Sequence, residues 1–188
     1  MCEDKQPAIE TVTAPEDTTV RSVYEWVETA LWALVAVTLV FSFLFRLVGV
    51  DGSSMANTLH HGDRLVLTTA FYTPDYGDIV VIRRDNGQPI IKRVIAMEGD
   101  TVSIDSETET VYLNGELLNE PYLDVSTPAL FNFTGPFTVP ADSVFVMGDN
   151  RSNSVDSRAP SVGAVPIEDI MGEAVFRVWP FSRFGSIE

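Results

Sequence analysis

Hydrophobic residues follow two regimes along this chain. Residues 29–45 (TALWALVAVTLVFSFLF) form an uncharged apolar run that continues past Arg46 through Leu47 and Val50. Beyond that point apolar positions come only in short runs divided by turn signals. The first regime predicts a membrane helix. Seventeen residues at about 1.5 Å each reach about 26 Å, and with Arg46 snorkelling and the residues up to Val50 counted, the run spans a bilayer core of about 30 Å. A cleaved leader would need a short basic start, a shorter core and a small-x-small cleavage site. Here the start is long and acidic, and the core runs into LVGVDG. The pattern therefore predicts a retained single-pass anchor over residues 24–50. Residues 1–23, rich in Thr, Glu, Asp and Pro, are expected to be a disordered acidic tail.

The second regime predicts strands. Apolar runs of strand length occupy residues 64–72, 78–84, 89–97, 101–104, 110–118, 143–149 and 172–180, separated by HHGD, YTPDYGD, DNGQ, EGD, LNGE and GDN. Asn114-Gly115 between VYL and ELL marks a two-residue hairpin. Past residue 50 no stretch holds a helical period, apart from a turn in PIEDIM (residues 166–171). About 140 residues suffice for one compact domain. The expected fold is an all-β domain over residues 51–188, small mixed or antiparallel sheets forming a barrel-like fold, carried on one N-terminal transmembrane helix.

Charge narrows the partners. A formal net charge of −15 excludes the basic surface of a nucleic-acid binder. The lone cysteine, Cys2, makes no internal disulfide. Carboxylates are scattered, and His60 and His61 lack ligand spacing, so no metal or other cofactor is expected. Lys5 and Arg21 before the apolar run nearly balance Arg46 and Arg64 after it, which leaves orientation open on charge alone.

Three segments carry candidate chemistry. One of only two lysines, Lys92, stands inside PIIKRVIAM (residues 89–97), on the strand face of Ile90 and Val94. Burial there disfavours an ammonium, and lowering a lysine from about 10.4 to about 8 takes roughly 3 kcal/mol. A lysine so placed is a base, unless it snorkels out or pairs with a carboxylate. Directly after the anchor comes GSSMANTL (residues 52–59), with two serines that need a base to act as nucleophiles. The adjacent histidines fit an exposed turn with Gly62 and Asp63 better than a triad role, which favours Lys92. The third segment, MGDNRSNSVDSR (residues 147–158), concentrates aspartates, arginines, asparagines and serines behind a strand. Alone it reads as a solvated loop.

Taken in order, these pieces resemble the bacterial type I signal peptidases, in a short Gram-positive-like form. The likeness extends through GDIVV (residues 77–81), GDTV (residues 99–102) and the closing Gly172, Ala174, Trp179-Pro180 and Gly185. The resemblance implies a membrane-anchored Ser/Lys endopeptidase that removes signal peptides from exported preproteins, with its catalytic domain on the extracytoplasmic side of the cell membrane. It implies Ser54, not Ser53, as nucleophile and Lys92 as general base. Ser154 would hydrogen-bond and orient the lysine amine. Asp149, Arg151, Asp156 and Arg158 would form a charge network that holds the loop against Lys92 and Arg93. Gly52 stands where many relatives place a serine that helps bind the oxyanion. Asn57 and Glu98 replace prolines that the family favours. The partners implied are signal peptides of the Ala-x-Ala type, the lipid bilayer and the protein translocation machinery. An extended substrate strand would meet a shallow apolar pocket of Val50, Met55, Leu59, Ile90 and Ile91.

Two other readings share parts of the pattern. The self-cleaving SOS repressors have a Ser-Met nucleophile and a similar lysine strand, but carry a DNA-binding domain where this chain has an acidic tail and an apolar run. The other is a tethered β module that binds peptides without cutting, or a peptidase paralogue that has lost activity; the presence of Ser54, Lys92 and Ser154 together argues against that loss.

Overall fold

The computed structural model describes residues 18–85, 87–123, 126–128 and 130–187. The expected disordered tail lies outside the described residues for positions 1–17. Its last part, from Thr18, is helical instead: α1 spans Thr18–Leu44. Within it, residues Arg21–Leu44 are long and apolar enough to cross a membrane, and none of their most apolar window is buried. Leu31, Trp32 and Phe43 are all exposed. A helix apolar on every face needs either a protein core or lipid around it.

The helix stops six residues before the predicted end. The pattern predicts helix through Val50, but Phe45–Gly49 form strand β1, antiparallel to β2 (Arg64–Thr68), with Phe45 opposite Thr68 and Gly49 opposite Arg64. Hydrophobicity alone does not separate a membrane helix from an apolar edge strand that follows it without a break. Here the β2 backbone supplies partners for the residues after Leu44, and Thr69 N–H donates to the Leu44 carbonyl at 3.1 Å. Val50 is accordingly a core residue. The chain divides into two compact units between Phe41 and Ser42.

The remaining strands are β3 (Ile79–Ile82), β4 (Ile90–Ala96), β5 (Thr101–Asp105), β6 (Thr110–Leu113), β7 (Glu116–Leu117), β8 (Phe137–Thr138), β9 (Ser143–Met147), β10 (Val165–Pro166), β11 (Ile170–Trp179) and β12 (Gly185–Ser186). They form a long sheet in the order β1-β2-β11-β3-β4-β9-β10, with β12 beside β11, and a small one in the order β7-β6-β5-β8. All described pairings are antiparallel, so beyond α1 the fold is the expected β-sheet domain in its antiparallel form. Bulges in β11 and between Val94 and Ala96 in β4 bend the long sheet into an open half-barrel. The expected turn in PIEDIM is a short 3₁₀ segment, Ile167–Asp169. At the β6–β7 hairpin, Asn114 and Gly115 both take positive φ, 54° and 83°, as a type I′ turn requires.

Both faces of the central strands are covered. On β3, Ile79 and Val81 join a core with Val50, Met55, Leu59, Leu65 and Leu67, whereas Val80 and Ile82 pack with Val94, Val144 and Val146. This is why β3 reads as a continuous apolar run and not as an alternation. The pairing Val80–Lys92 and Ile79–Arg93 sets two cations side by side in a buried part of the sheet.

Candidate active site

Lys92 is drawn inward by the strand it belongs to. With Val80 across from it on β3, only 2% of the residue is exposed. Its Nζ donates to Ser54 Oγ at 2.7 Å and to the Ile91 carbonyl at 3.0 Å. Burial pulls the amine from its ordinary value of 10.5 down to about 8. Asp156 and Asp149 oppose that shift through their charge, and Arg158 and Arg84 add to it. The apolar neighbours win because no carboxylate touches the ammonium directly: among the described residues Lys92 has no ion pair.

Ser54 is delivered by the turn that follows β1. Ala56 N–H donates to the Ser53 carbonyl at 3.0 Å, and Leu59 N–H to the Met55 carbonyl at 2.7 Å, so the chain folds back on itself directly after the serine. Met55 and Leu59 anchor that turn in the core. Gly52, at φ 101°, makes the sharp approach that other residues resist. Ser54 is half-buried, while Ser53 is exposed and its Oγ accepts from Asn153 Nδ2 at 3.1 Å.

The loop after β9 closes the other side. Arg93 pairs with Met147, so one further step along the antiparallel register brings Gly148 beside Lys92. A Cβ on Gly148 would lie 2.3 Å from Ser154 Oγ and 2.4 Å from the Ser54 carbonyl oxygen, which leaves no room for any other residue. Nothing in the local sequence marks this glycine, because its need is steric and its φ lies outside the left-handed region. Asp149 then takes both Arg93 Nε and Nη2, at 3.0 and 2.8 Å, and accepts from Thr58 Oγ1.

Several expected roles are redistributed. Asp149 does hold Arg93, Asp156 pairs with Arg158 (2.9 and 2.8 Å), and Arg151 donates through Nε to the Gly148 carbonyl at 3.0 Å while the rest of its guanidinium reaches Glu120 and Thr127. Burial works against the Asp156 carboxylate, yet Arg158 and the Gly148 N–H hold it below its ordinary range. Ser154 is buried, with its Oγ against the Gly148 backbone and close enough to Asp156 to help hold that carboxylate charged, but among the described residues it makes no hydrogen bond to Lys92. Glu120 and Tyr122 were not anticipated. The Tyr122 ring lies 3.9 Å from the Arg93 guanidinium carbon, and its hydroxyl donates to Glu120 at 2.8 Å. Nothing local in NEPYLD marks these residues, since their partners lie about thirty positions away.

The histidines sit in the exposed turn foreseen for them, but Asp63 in the same turn is fully buried and receives Arg183 and the His60 N–H. His61 Nδ1 accepts the Gly52 N–H at 3.4 Å. Neither histidine contacts Ser54.

An open pocket of about 340 Å³ adjoins the Ser54–Lys92 contact. Val50, Met55, Ile90 and Ile91 line it together with Val48 and Gln88. Leu59, the fifth residue expected there, is fully buried and belongs to the core instead, because the turn after Ser54 rotates it inward. Among the described residues no three His, Cys, Asp or Glu side chains group closely enough to hold a metal ion.

A serine hydroxyl in contact with a desolvated lysine, beside an open apolar pocket on an antiparallel scaffold, is an arrangement suited to acyl transfer. Most of the chain matches one family: the family model described as "Signal peptidase, peptidase S26" covers residues 23–179. The chain belongs to this family. It is 38% identical over 173 residues to a signal peptidase I of Bacillus licheniformis, covering 86% of this chain and 91% of that one. It is 36% identical to signal peptidase I S of Bacillus subtilis, covering 87% and 92%, and 39% identical to a probable signal peptidase I-1 of Synechocystis, covering 82% and 84%.

Proposed function

We infer that this protein is a membrane-anchored endopeptidase that removes N-terminal signal peptides from exported preproteins, with Ser54 as nucleophile and Lys92 as its base. The observation that carries the reading is the 2.7 Å contact between Ser54 Oγ and a lysine amine lowered to about 8. An ordinary lysine is almost wholly charged at neutral pH and accepts no proton. At about 8, roughly a tenth of the amine is free at pH 7, which suffices for a base. Family membership with signal peptidases I supports the substrate class. The apolar helix Arg21–Leu44 supports the anchor, and an enzyme that removes signal peptides after export would carry residues 51–188 outside the cytoplasm.

The chemistry follows from the contacts. Neutral Lys92 takes the Ser54 proton as Oγ attacks the scissile carbonyl, and the negative charge that develops on the carbonyl oxygen meets the Ser54 N–H. Among the described residues nothing else accepts that N–H. The Lys92 ammonium then gives its proton to the departing amine as the C–N bond breaks, leaving the acyl group on Ser54. A water deprotonated by the same lysine hydrolyses the ester and restores the serine. Substrate binding uses the open pocket: Val50, Met55, Ile90 and Ile91 offer a shallow apolar surface that suits alanine-sized side chains, as in Ala-x-Ala signals.

Turnover of a preprotein by the full chain in detergent tests this reading. Ser54→Ala should abolish cleavage with the fold retained, and Ser53→Ala should keep most of it. The opposite pattern would overturn the assignment.

A further inference from the structure

One residue outside the Ser54–Lys92 contact holds both carbonyls that flank the nucleophile. The Asn150 main-chain N–H donates to the Ser54 carbonyl at 3.0 Å, and its Nδ2 donates to the Ser53 carbonyl, also at 3.0 Å. The Ser53 oxygen already accepts Ala56 N–H, so the asparagine amide occupies its second lone pair. Ser152 Oγ donates to Asn150 Oδ1 at 3.3 Å, which fixes which end of the amide faces the serine. Asn153 braces the same spot, its N–H on the Asn150 carbonyl (3.0 Å) and its Nδ2 on Ser53 Oγ (3.1 Å).

The Ser53 carbonyl and the Ser54 N–H are the two ends of one planar peptide unit. Fixing the oxygen therefore aims the N–H. A hydrogen bond accepted at the oxygen also polarises the unit and makes the N–H a better donor. That N–H carries more of the work here than it would beside a serine hydroxyl, because Gly52 brings no side chain and its own N–H is turned to His61.

We propose that Asn150 is a positioning residue for the transition state, aiming and polarising the Ser54 N–H that receives the oxyanion through its side-chain hydrogen bond to the Ser53 carbonyl. The proposal rests on Ser54 being the nucleophile.

Asn150→Ala in the full chain tests it, because the main-chain bond to Ser54 survives the change. The expected result is a fall in kcat of about 10- to 100-fold, less than for removal of a whole oxyanion donor, with KM within about twofold of wild type. The pH at which activity rises should not move, since Lys92 is untouched. Binding of an Ala-x-Ala peptide aldehyde, whose serine adduct mimics the tetrahedral centre, should weaken by the same factor as kcat. Binding of an uncleaved peptide with proline after the scissile position should not change. Asn150→Asp, equal in shape but without the donor, should lose at least as much and covers the case that the alanine variant does not fold. Asn150→Ala with kcat within threefold of wild type, or with equal weakening of both ligands, overturns the proposal. Cleavage that survives Ser54→Ala would instead overturn the nucleophile assignment on which it stands.

Discussion

Lys92 and Arg93 are neighbours on one strand, exposed by only 2% and 3%, and they meet opposite fates. Arg93 faces the loop after β9, where Asp149 takes it through two hydrogen bonds, the Gly77 carbonyl takes a third at 2.7 Å, and Tyr122 stacks over it. Lys92 faces Ser54 and finds a hydroxyl and a carbonyl but no carboxylate in contact. Equal burial thus gives one cation that is structural and one that is disposed to lose its proton. What separates them is the partner each face supplies, and the choice of side chain suits it. The guanidinium matches a bidentate carboxylate and stays charged, whereas the amine shifts readily when dry.

The largest effect should come from exchanging the chemistry at the lysine. Lys92→Arg keeps the charge but not the ability to release a proton, and preprotein cleavage should fall by at least about 10³-fold. Activity within tenfold of wild type would mean that the base lies elsewhere.

Arg93 should answer through stability instead. Arg93→Met takes from Asp149 its bidentate partner and, among the described residues, leaves the Thr58 hydroxyl as its side-chain hydrogen bond, for a loss of about 3 kcal/mol in chemical denaturation. The double change Arg93→Met with Asp149→Leu should recover most of that. If the single and double variants were equally unstable, packing and not charge would explain the arginine.

Lys92→Met should move stability the other way. With the folded amine lowered from 10.5 to about 8, the buried ammonium destabilises the fold by up to about 3 kcal/mol below pH 8. Between pH 8 and 10.5 only the unfolded chain holds the proton, so wild-type stability rises with pH across that window. The methionine variant should therefore be more stable than wild type at pH 7, and the gap should close by pH 10.5. A gap independent of pH would show that desolvation is not its source.

The smallest effect is expected at the histidines. His60→Gln with His61→Gln should leave the profile of kcat/KM, which rises toward pH 8 with Lys92, nearly unchanged, since neither ring reaches Ser54. A limb that disappears from its place in the double variant would remove Lys92 from the base role.

Much of this was legible along the chain. Short apolar runs between turn signals marked seven strand regions, and all seven hold strands, because each run carries its own alternation or its own enclosure. The odd placement of Lys92 among isoleucines and valines was visible for the same reason. Roles set by contact across the fold were not. Whether Ser154 touches the lysine, whether Leu59 faces the pocket or the core, and where Arg151 finds its carboxylate depend on loop rotations that no local pattern encodes. The end of the helix belongs with these: leucine and phenylalanine serve a lipid-facing helix and an edge strand alike, and only pairing with β2 decides between them.

The sequence by itself determined the kinds of element, the sparse set of ionisable groups from which a site could be made, and the hairpin turn, since propensity, periodicity and turn chemistry act over a few residues. Tertiary structure alone decided that Ser54 meets Lys92 across 38 positions, that Asp149 satisfies Arg93 and not its neighbour, and that Asn150 grips the peptide before the serine. A strand register shifted by one residue would keep every local preference and exchange the two faces, so the burial that lowers one amine and the carboxylate that holds the next guanidinium exist only once the sheet has closed on its own pairing.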